Sequence, residues 1–205
     1  MDYFHLISGV DYPCKDNATF DRFFEAHRGE SFMHFDSEEE VSEWRDTTYR
    51  YRIQTWNFVD ILPWMPVRIR GLIGRVCRSI FVRTWIPDVV AGWQWFSWHR
   101  TVAEYVTGYM DSHPKYLRRF KYTCCCDEII FHTLLHHKLK DLNINPHNAV
   151  RFIEWHPKRA YTSLPLVLNL NEYDDIIGSD CLFCRKIDPV ESGGLIDMLD
   201  KYNGN

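Results

Sequence analysis

Tyr3-Phe-His-Leu-Ile-Ser8, running into Gly9-Val-Asp11-Tyr-Pro13, is the stretch from which the rest of the chain is read. A short apolar run that stops at a glycine reads as a buried strand leading into a loop. Its proline restricts the Gly9–Pro13 turn, and Asp11 there either bonds the neighbouring amides or reaches into a site. Working outward, Asp16 or Asn17 caps a helix whose Phe20, Phe23, Phe24 and His27 recur at i, i+3, i+4 and i+7. Phe32-Met-His-Phe35 is a second short strand.

The totals bound what this start can belong to. At 205 residues the chain makes one domain or two small ones, and a single domain over 1–205 is expected. An apolar share of 45% with 16% aromatics supports a sizeable core, and eight tryptophans put aromatic or carbohydrate stacking in play. A net charge of −4 provides no global basic field to recruit nucleic acid. No apolar run approaches the ~20 residues that span a bilayer. Met1-Asp2-Tyr3 lacks a basic n-region, so the seven cysteines read as reduced thiols and the expected location is cytoplasmic.

The middle of the chain changes character twice. Asp36 to Glu43 is acidic and reads as a solvated helix start. Tyr49 to Trp56 alternates and reads as a strand that places Arg50 and Arg52 on one face, about 7 Å apart. Residues 61–87 form a basic insert: Arg68, Arg70, Arg75, Arg78 and Arg83 occur with no acid between Asp60 and Asp88. Ile69, Leu72, Ile73, Val76, Cys77 and Ile80 make an amphipathic face flanked by Trp64 and Trp85. Such a helix either packs that face on its own domain or lies on an anionic membrane surface. Ala91-Gly-Trp-Gln-Trp-Phe-Ser-Trp98 returns to strand, with Gly92 allowing close approach of backbone or ligand. Its tryptophans at spacing two and three cannot all point inward, so Trp93 or Trp95 is a candidate for a cleft wall.

Thr123-Cys-Cys-Cys-Asp127-Glu128-Ile-Ile-Phe131-His132-Thr133-Leu134 carries the most chemical content. Glu128, His132, Leu135 and Leu139 recur at i, i+4, i+7 and i+11, one face of a helix, with Asp127 at its N-cap position. Either the acidic pair caps a helix and complements its dipole, or Glu128 is a general base held at the rim of a core. Cys181-x-x-Cys184 with Cys124–Cys126 lacks the two spaced pairs of a structural zinc site, and no Asp-x-Asp is present, so no metal is expected. A bound diphosphate would then need Lys or Arg, and Arg185 and Lys186 are candidates. Val150 to Trp155 alternates as a strand, followed by the turn His156-Pro-Lys158-Arg159.

Five of these segments together are familiar. Tyr3–Pro13 resembles the "hLISGqDYP" segment of the core-2/I-branching glycosyltransferase family, which also takes in peptide O-xylosyltransferases. Gly92–Ser97 resembles its "GSqWWsL", Cys126–Leu134 its "pDExffqTl", Val150–Trp155 its "lRyidW" and Leu182–Asp188 its "lFaRKFD". Each motif alone is weak; the ordered set is specific.

The resemblance implies a GT-A-like α/β fold, a mixed sheet flanked by helices. It also implies inverting, metal-independent transfer of N-acetylglucosamine or a xylose-like sugar from a UDP-sugar to a glycan hydroxyl, without a cofactor. Glu128 would be the base, Lys186 would contact the donor diphosphate, and Trp155 would lie beside the acceptor sugar. Asp11, Trp93, Trp95 and Asp127 are further acceptor-side candidates. Three departures stand out. Cys126 replaces the usual proline. The second basic residue on the diphosphate falls near Leu164–Leu166, which leaves Lys158 or Arg159 as substitutes. The family's earlier nucleotide-binding portion precedes the motif with which this chain starts, so an N-terminally truncated domain is expected. The alternatives are a non-catalytic remnant that binds glycan or a partner glycosyltransferase, and a peripheral module acting on a membrane through residues 61–87.

Overall fold

The structure is a computed structural model that describes residues 2–37, 39, 50–54, 56–58, 62–81, 83 and 88–204. It is a mixed α/β protein with two mixed sheets, in agreement with the GT-A-like expectation. The chain forms two compact units. The first comprises Met1–Met33, Trp95–His99 and Asn143–Asn205; the second comprises His34–Gln94 and Arg100–Leu142.

In chain order the elements are β1 (Tyr3–His5), β2 (Asp11–Pro13), α1 (Asn17–Ala26), β3 (Ser31–Phe35), α2 (Arg50–Gln54), α3 (Val67–Ile80) and β4 (Gly92–His99). There follow α4 (Arg100–Ser112), α5 (Pro114–Phe120), α6 (Ile130–Leu135), β5 (Ile144–Asn145), β6 (Arg151–Ile153), α7 (Tyr173–Gly178), β7 (Phe183–Arg185) and α8 (Gly193–Asn203). One sheet has the order β1-β4-β3-β5, with β1 antiparallel to β4 and β3 parallel to β5. The other has the order β2-β7-β6, antiparallel then parallel.

In the first unit the start of α1 follows its sequence signal. The Asp16 carboxylate accepts from the Thr19 amide at 2.6 Å, which satisfies one of the orphan donors of the first turn. Phe20, Phe23 and Phe24 pack on Phe32, Val150, Leu182 and Phe183. A second core joins Leu166, Leu168, Ile176, Leu195 and Leu199 around the β2-β7-β6 sheet residue Cys184. The opening stretch departs from its reading. β1 is the edge strand of its sheet, and Phe4, Leu6 and Ile7 are exposed rather than buried. An apolar run signals a strand but not how many of its faces are covered. The connection over 143–148 contains the two-residue β5.

In the second unit two readings are corrected. Residues 50–54, read as strand, are the helix α2; Tyr49 and Thr55 lie outside the described residues. Ile53 decides this segment, because it is fully buried with Phe120, Ile129 and Ile130. The helix read as continuous from Glu128 to Leu139 is in three pieces: a 3-10 turn Cys126–Glu128, α6, and a 3-10 turn His136–Lys138. Ile129, Ile130 and Thr133 are β-branched and weak helix formers. The Tyr116 hydroxyl donates to the Ile130 carbonyl at 2.6 Å, at the start of α6. The acidic stretch Asp36–Glu43 lies largely outside the described residues, as does Trp85.

Candidate active site

In the second unit the site is built on the cysteine run. Cys125 takes a left-handed conformation at φ 46°, which turns the chain into the 3-10 turn that carries Asp127 and Glu128. Asp127 therefore does not cap a helix: Ile129 stands at the N-cap of α6, with no side-chain bond. The loop is held from below by Arg83. Its guanidinium donates to the Tyr122 carbonyl at 2.9 Å, to Thr123 Oγ1 at 3.0 Å and to the Arg119 carbonyl. Burial, with Arg119 nearby, pushes the Arg83 pKa down to about 10. Arg83 is thus a buried anchor rather than one of the solvated arginines of the basic insert.

Glu128 meets Arg52 of α2, whose Nη1 donates to Oε2 at 2.5 Å. The two side chains are 28% and 12% exposed respectively, so the carboxylate is reachable while its partner is largely enclosed. Among the described residues, Oε1 of Glu128 accepts no hydrogen bond. Burial raises the Glu128 pKa above the usual carboxylate value, the Arg52 charge and hydrogen bond oppose the rise, and Asp127 adds to it. The result is an oriented carboxylate with one lone-pair face open and a basicity above that of a solvated one. The Cys125 thiol is pushed up to about 11, first by burial and then by Cys124, so near neutral pH it is protonated and a weak nucleophile.

His132, one turn beyond, is fully buried. Its Nε2 donates to the His34 carbonyl at 3.0 Å, and its ring meets the Phe35 edge at 4.8 Å between centroids. Burial pushes its pKa down to about 3, so it stays neutral and is a packing element. The close approach expected at Gly92 is to this ring: a Cβ there would overlap His132 and the His34 carbonyl. Trp93 is half-buried against the His34 ring at 4.3 Å. Asp127 is half-buried and makes no ion pair among the described residues.

The first unit holds the other candidates. Asp11 and Arg185 are directly opposed across β2 and β7. Arg185 Nη1 reaches Asp11 Oδ1 at 2.7 Å and Ser8 Oγ at 3.0 Å, and the guanidinium lies 3.6 Å from the centre of the Trp95 ring. Asp11 Oδ2 accepts from the Ser8 amide at 2.6 Å, so Asp11 holds the turn as well. Arg159 makes a two-point contact with Glu172, at 2.9 and 3.1 Å, and donates to the Val167 carbonyl at 2.6 Å. Glu172 also closes a capping box with Asn169, which makes Arg159 a clasp on the 165–172 segment. Lys186 is half-buried and Lys158 exposed, and neither ammonium has an ion-pair partner among the described residues. Trp155 is half-buried, and its buried indole N–H has no hydrogen-bond partner among the described residues.

Sequence reading missed Arg151, the best-connected side chain of this unit. Buried within β6, it donates to Ser97 Oγ at 2.8 Å, to the Phe96 carbonyl at 2.9 Å, to the Leu6 carbonyl at 3.0 Å and to the Ala149 carbonyl at 2.5 Å. Two signals were available, the arginine shared with the "lRyidW" segment and a charge at an inward position of an alternating strand. The unit also has an open cavity of about 540 Å³ lined by Lys15, Phe23, His27, Asn148, Asp180 and Tyr202 among others, and none of the candidate residues lines it. Among the described residues no group of three or more His, Cys, Asp or Glu is placed to hold a metal ion.

A family model described as Core-2/I-Branching enzyme matches residues 1–171. The matched region includes Glu128 and Trp155 and stops before β7, which carries Arg185. No curated protein matches the chain.

Proposed function

Since the chain belongs to the core-2/I-branching enzyme family, whose members are glycosyltransferases, we propose that it moves a sugar from a UDP-sugar to a glycan hydroxyl with inversion and without a metal. The observation that carries this reading is the half-open carboxylate of Glu128. Arg52 fixes Oε2, Oε1 is left for an acceptor hydroxyl, and the raised pKa strengthens it as a base. As the hydroxyl oxygen attacks the anomeric carbon, its proton passes to Glu128. The bond from that carbon to the diphosphate oxygen breaks, and UDP leaves with the electron pair. A positioned base contributes typically about 10²–10⁴-fold to such a step.

The charge that develops on the leaving diphosphate needs cations not already spent. Arg185 and Arg159 are committed to Asp11 and Glu172. Lys186, with Lys158 as second candidate, takes the donor side. Trp155 supports an acceptor-side role through its half-buried ring and unpartnered indole N–H. The same commitment of two arginines favours the second reading, a domain that binds glycan without transferring sugar.

Incubating the chain with UDP-N-acetylglucosamine or UDP-xylose and a glycan acceptor in a chelating buffer, and measuring UDP release, tests the proposal. The expected result is release that depends on acceptor and persists in the chelator. No release together with no UDP binding at millimolar nucleotide would overturn it in favour of the glycan-binding reading.

A further inference from the structure

Helix α3 is mounted with its apolar side outward. Ile69, Leu72, Val76 and Ile80 share one face at i, i+3, i+7 and i+11. All four are exposed, Leu72 by 54% and Ile80 by 64%. The opposite face is the one that packs. Gly74 is buried, and a Cβ on it would overlap the Trp56 carbonyl, so the helix backbone lies directly on that segment. Arg70, on the packed side, reaches the Leu62 carbonyl at 3.3 Å. This inverts the usual arrangement, in which a surface helix buries its apolar stripe and solvates its charges.

Two further features narrow what can cover the stripe. Arg68 and Arg75 stand four residues before and three after Leu72, so they border it, and both are exposed. The helix carries four arginines and no acid, in a chain whose net charge is −4. Trp64, just ahead of the helix, is 76% exposed, and Phe81, just after it, is also exposed. An apolar stripe bordered by long cationic side chains, with aromatics at both ends, suits the boundary between acyl chains and anionic headgroups. At ~1.5 Å per residue the helix is about 21 Å long, which suits lying in that plane. No helix among the described residues is long and apolar enough to cross a membrane.

We infer that α3 is an in-plane anchor that docks this chain on an anionic lipid surface through Leu72, Val76 and their neighbours. The assignment is independent of the transfer chemistry.

Flotation of the full chain with phosphatidylcholine vesicles, with and without phosphatidylglycerol, tests it. The expected result is binding stronger by about tenfold or more with the anionic lipid, weakening as salt rises. Leu72→Glu with Val76→Glu should abolish flotation, leaving the thermal melt and UDP release of the soluble protein unchanged, because neither side chain is buried. Arg68→Glu with Arg75→Glu should remove the preference for anionic lipid. Failure of the unaltered chain to float with anionic vesicles would overturn the inference. So would a concentration-dependent dimer, by light scattering, that Leu72→Glu returns to monomer while vesicle binding stays absent, since a second copy would then be what covers the stripe.

Discussion

Asp11 with Arg185, and Glu128 with Arg52, are two arginine–carboxylate pairs, and they differ in what each carboxylate has left to give. The Asp11 side chain is 1% exposed and both of its oxygens are taken, one by Arg185 and one by the Ser8 amide. Glu128 is 28% exposed, with one oxygen held and the other open among the described residues. The first pair is closed off from any ligand and stands beneath an aromatic ring, so its work is to hold β2 on β7. The second is held firmly enough to be oriented and loosely enough to take a proton. An ion pair therefore becomes a candidate for chemistry through the acceptor capacity that remains after its own hydrogen bonds are counted.

The sharpest way to break this contrast is to remove each carboxylate in turn. Glu128→Gln keeps size and one acceptor but cannot take the proton. Transfer should fall by about 10²–10⁴-fold while the thermal melt stays in place. Retention of full activity would strip Glu128 of the base role. Asp11→Ala leaves Arg185 buried without its counter-charge and should cost about 3–5 kcal/mol in urea unfolding. A loss comparable to that of a surface pair would mean the two pairs are not different in kind.

A smaller effect is expected at Gly92. Gly92→Ala pushes a methyl group into the His132 ring and the His34 carbonyl, and overpacking of this type costs about 1–3 kcal/mol. Calorimetric unfolding reads the loss. An unchanged melting temperature would show that the ring can move aside. The smallest effect is a shift in pH dependence. Arg52 holds the Glu128 pKa down against burial, so Arg52→Gln lets it rise, and the acid limb of kcat/KM should move to higher pH. A limb that stays put would place the titrating group elsewhere. Acid unfolding runs by a separate route with its own sign. His132 has a folded pKa depressed by burial to about 3, so it binds a proton more readily when unfolded. Its contribution is present above its unfolded pKa and is lost as pH falls from there through that value. Circular dichroism across the same range separates the two effects.

Much of this was legible along the chain because it is local. The Asp16 cap, the phenylalanine spacing in α1, the strand at 92–99 and the amphipathic run at 67–80 each depend on neighbours within a few residues. The ordered motifs led to the family that the match over residues 1–171 bears out. The misread elements are those decided from a distance. Alternation at 49–56 suggested a strand, yet Ile53 is drawn into a cluster with Phe120 and Ile129, and the segment is helical where it is described. The expected 128–139 helix is broken at Ile129, where the 3-10 turn that follows the left-handed Cys125 meets α6, and again after Leu135.

By itself the sequence determined the family, the mixture of strands and helices, and the residue types available for chemistry, since periodicity, caps and motifs are properties of contiguous chain. Only the tertiary structure decided which charges are spent and which are open. Asp11 and Arg185 are 174 positions apart and Arg52 and Glu128 are 76 apart, and no local pattern records such a partnership. It likewise decided which way α3 faces. A helix sequence specifies that it has an apolar side, but the close approach of a backbone at Gly74 sets the direction in which that side points.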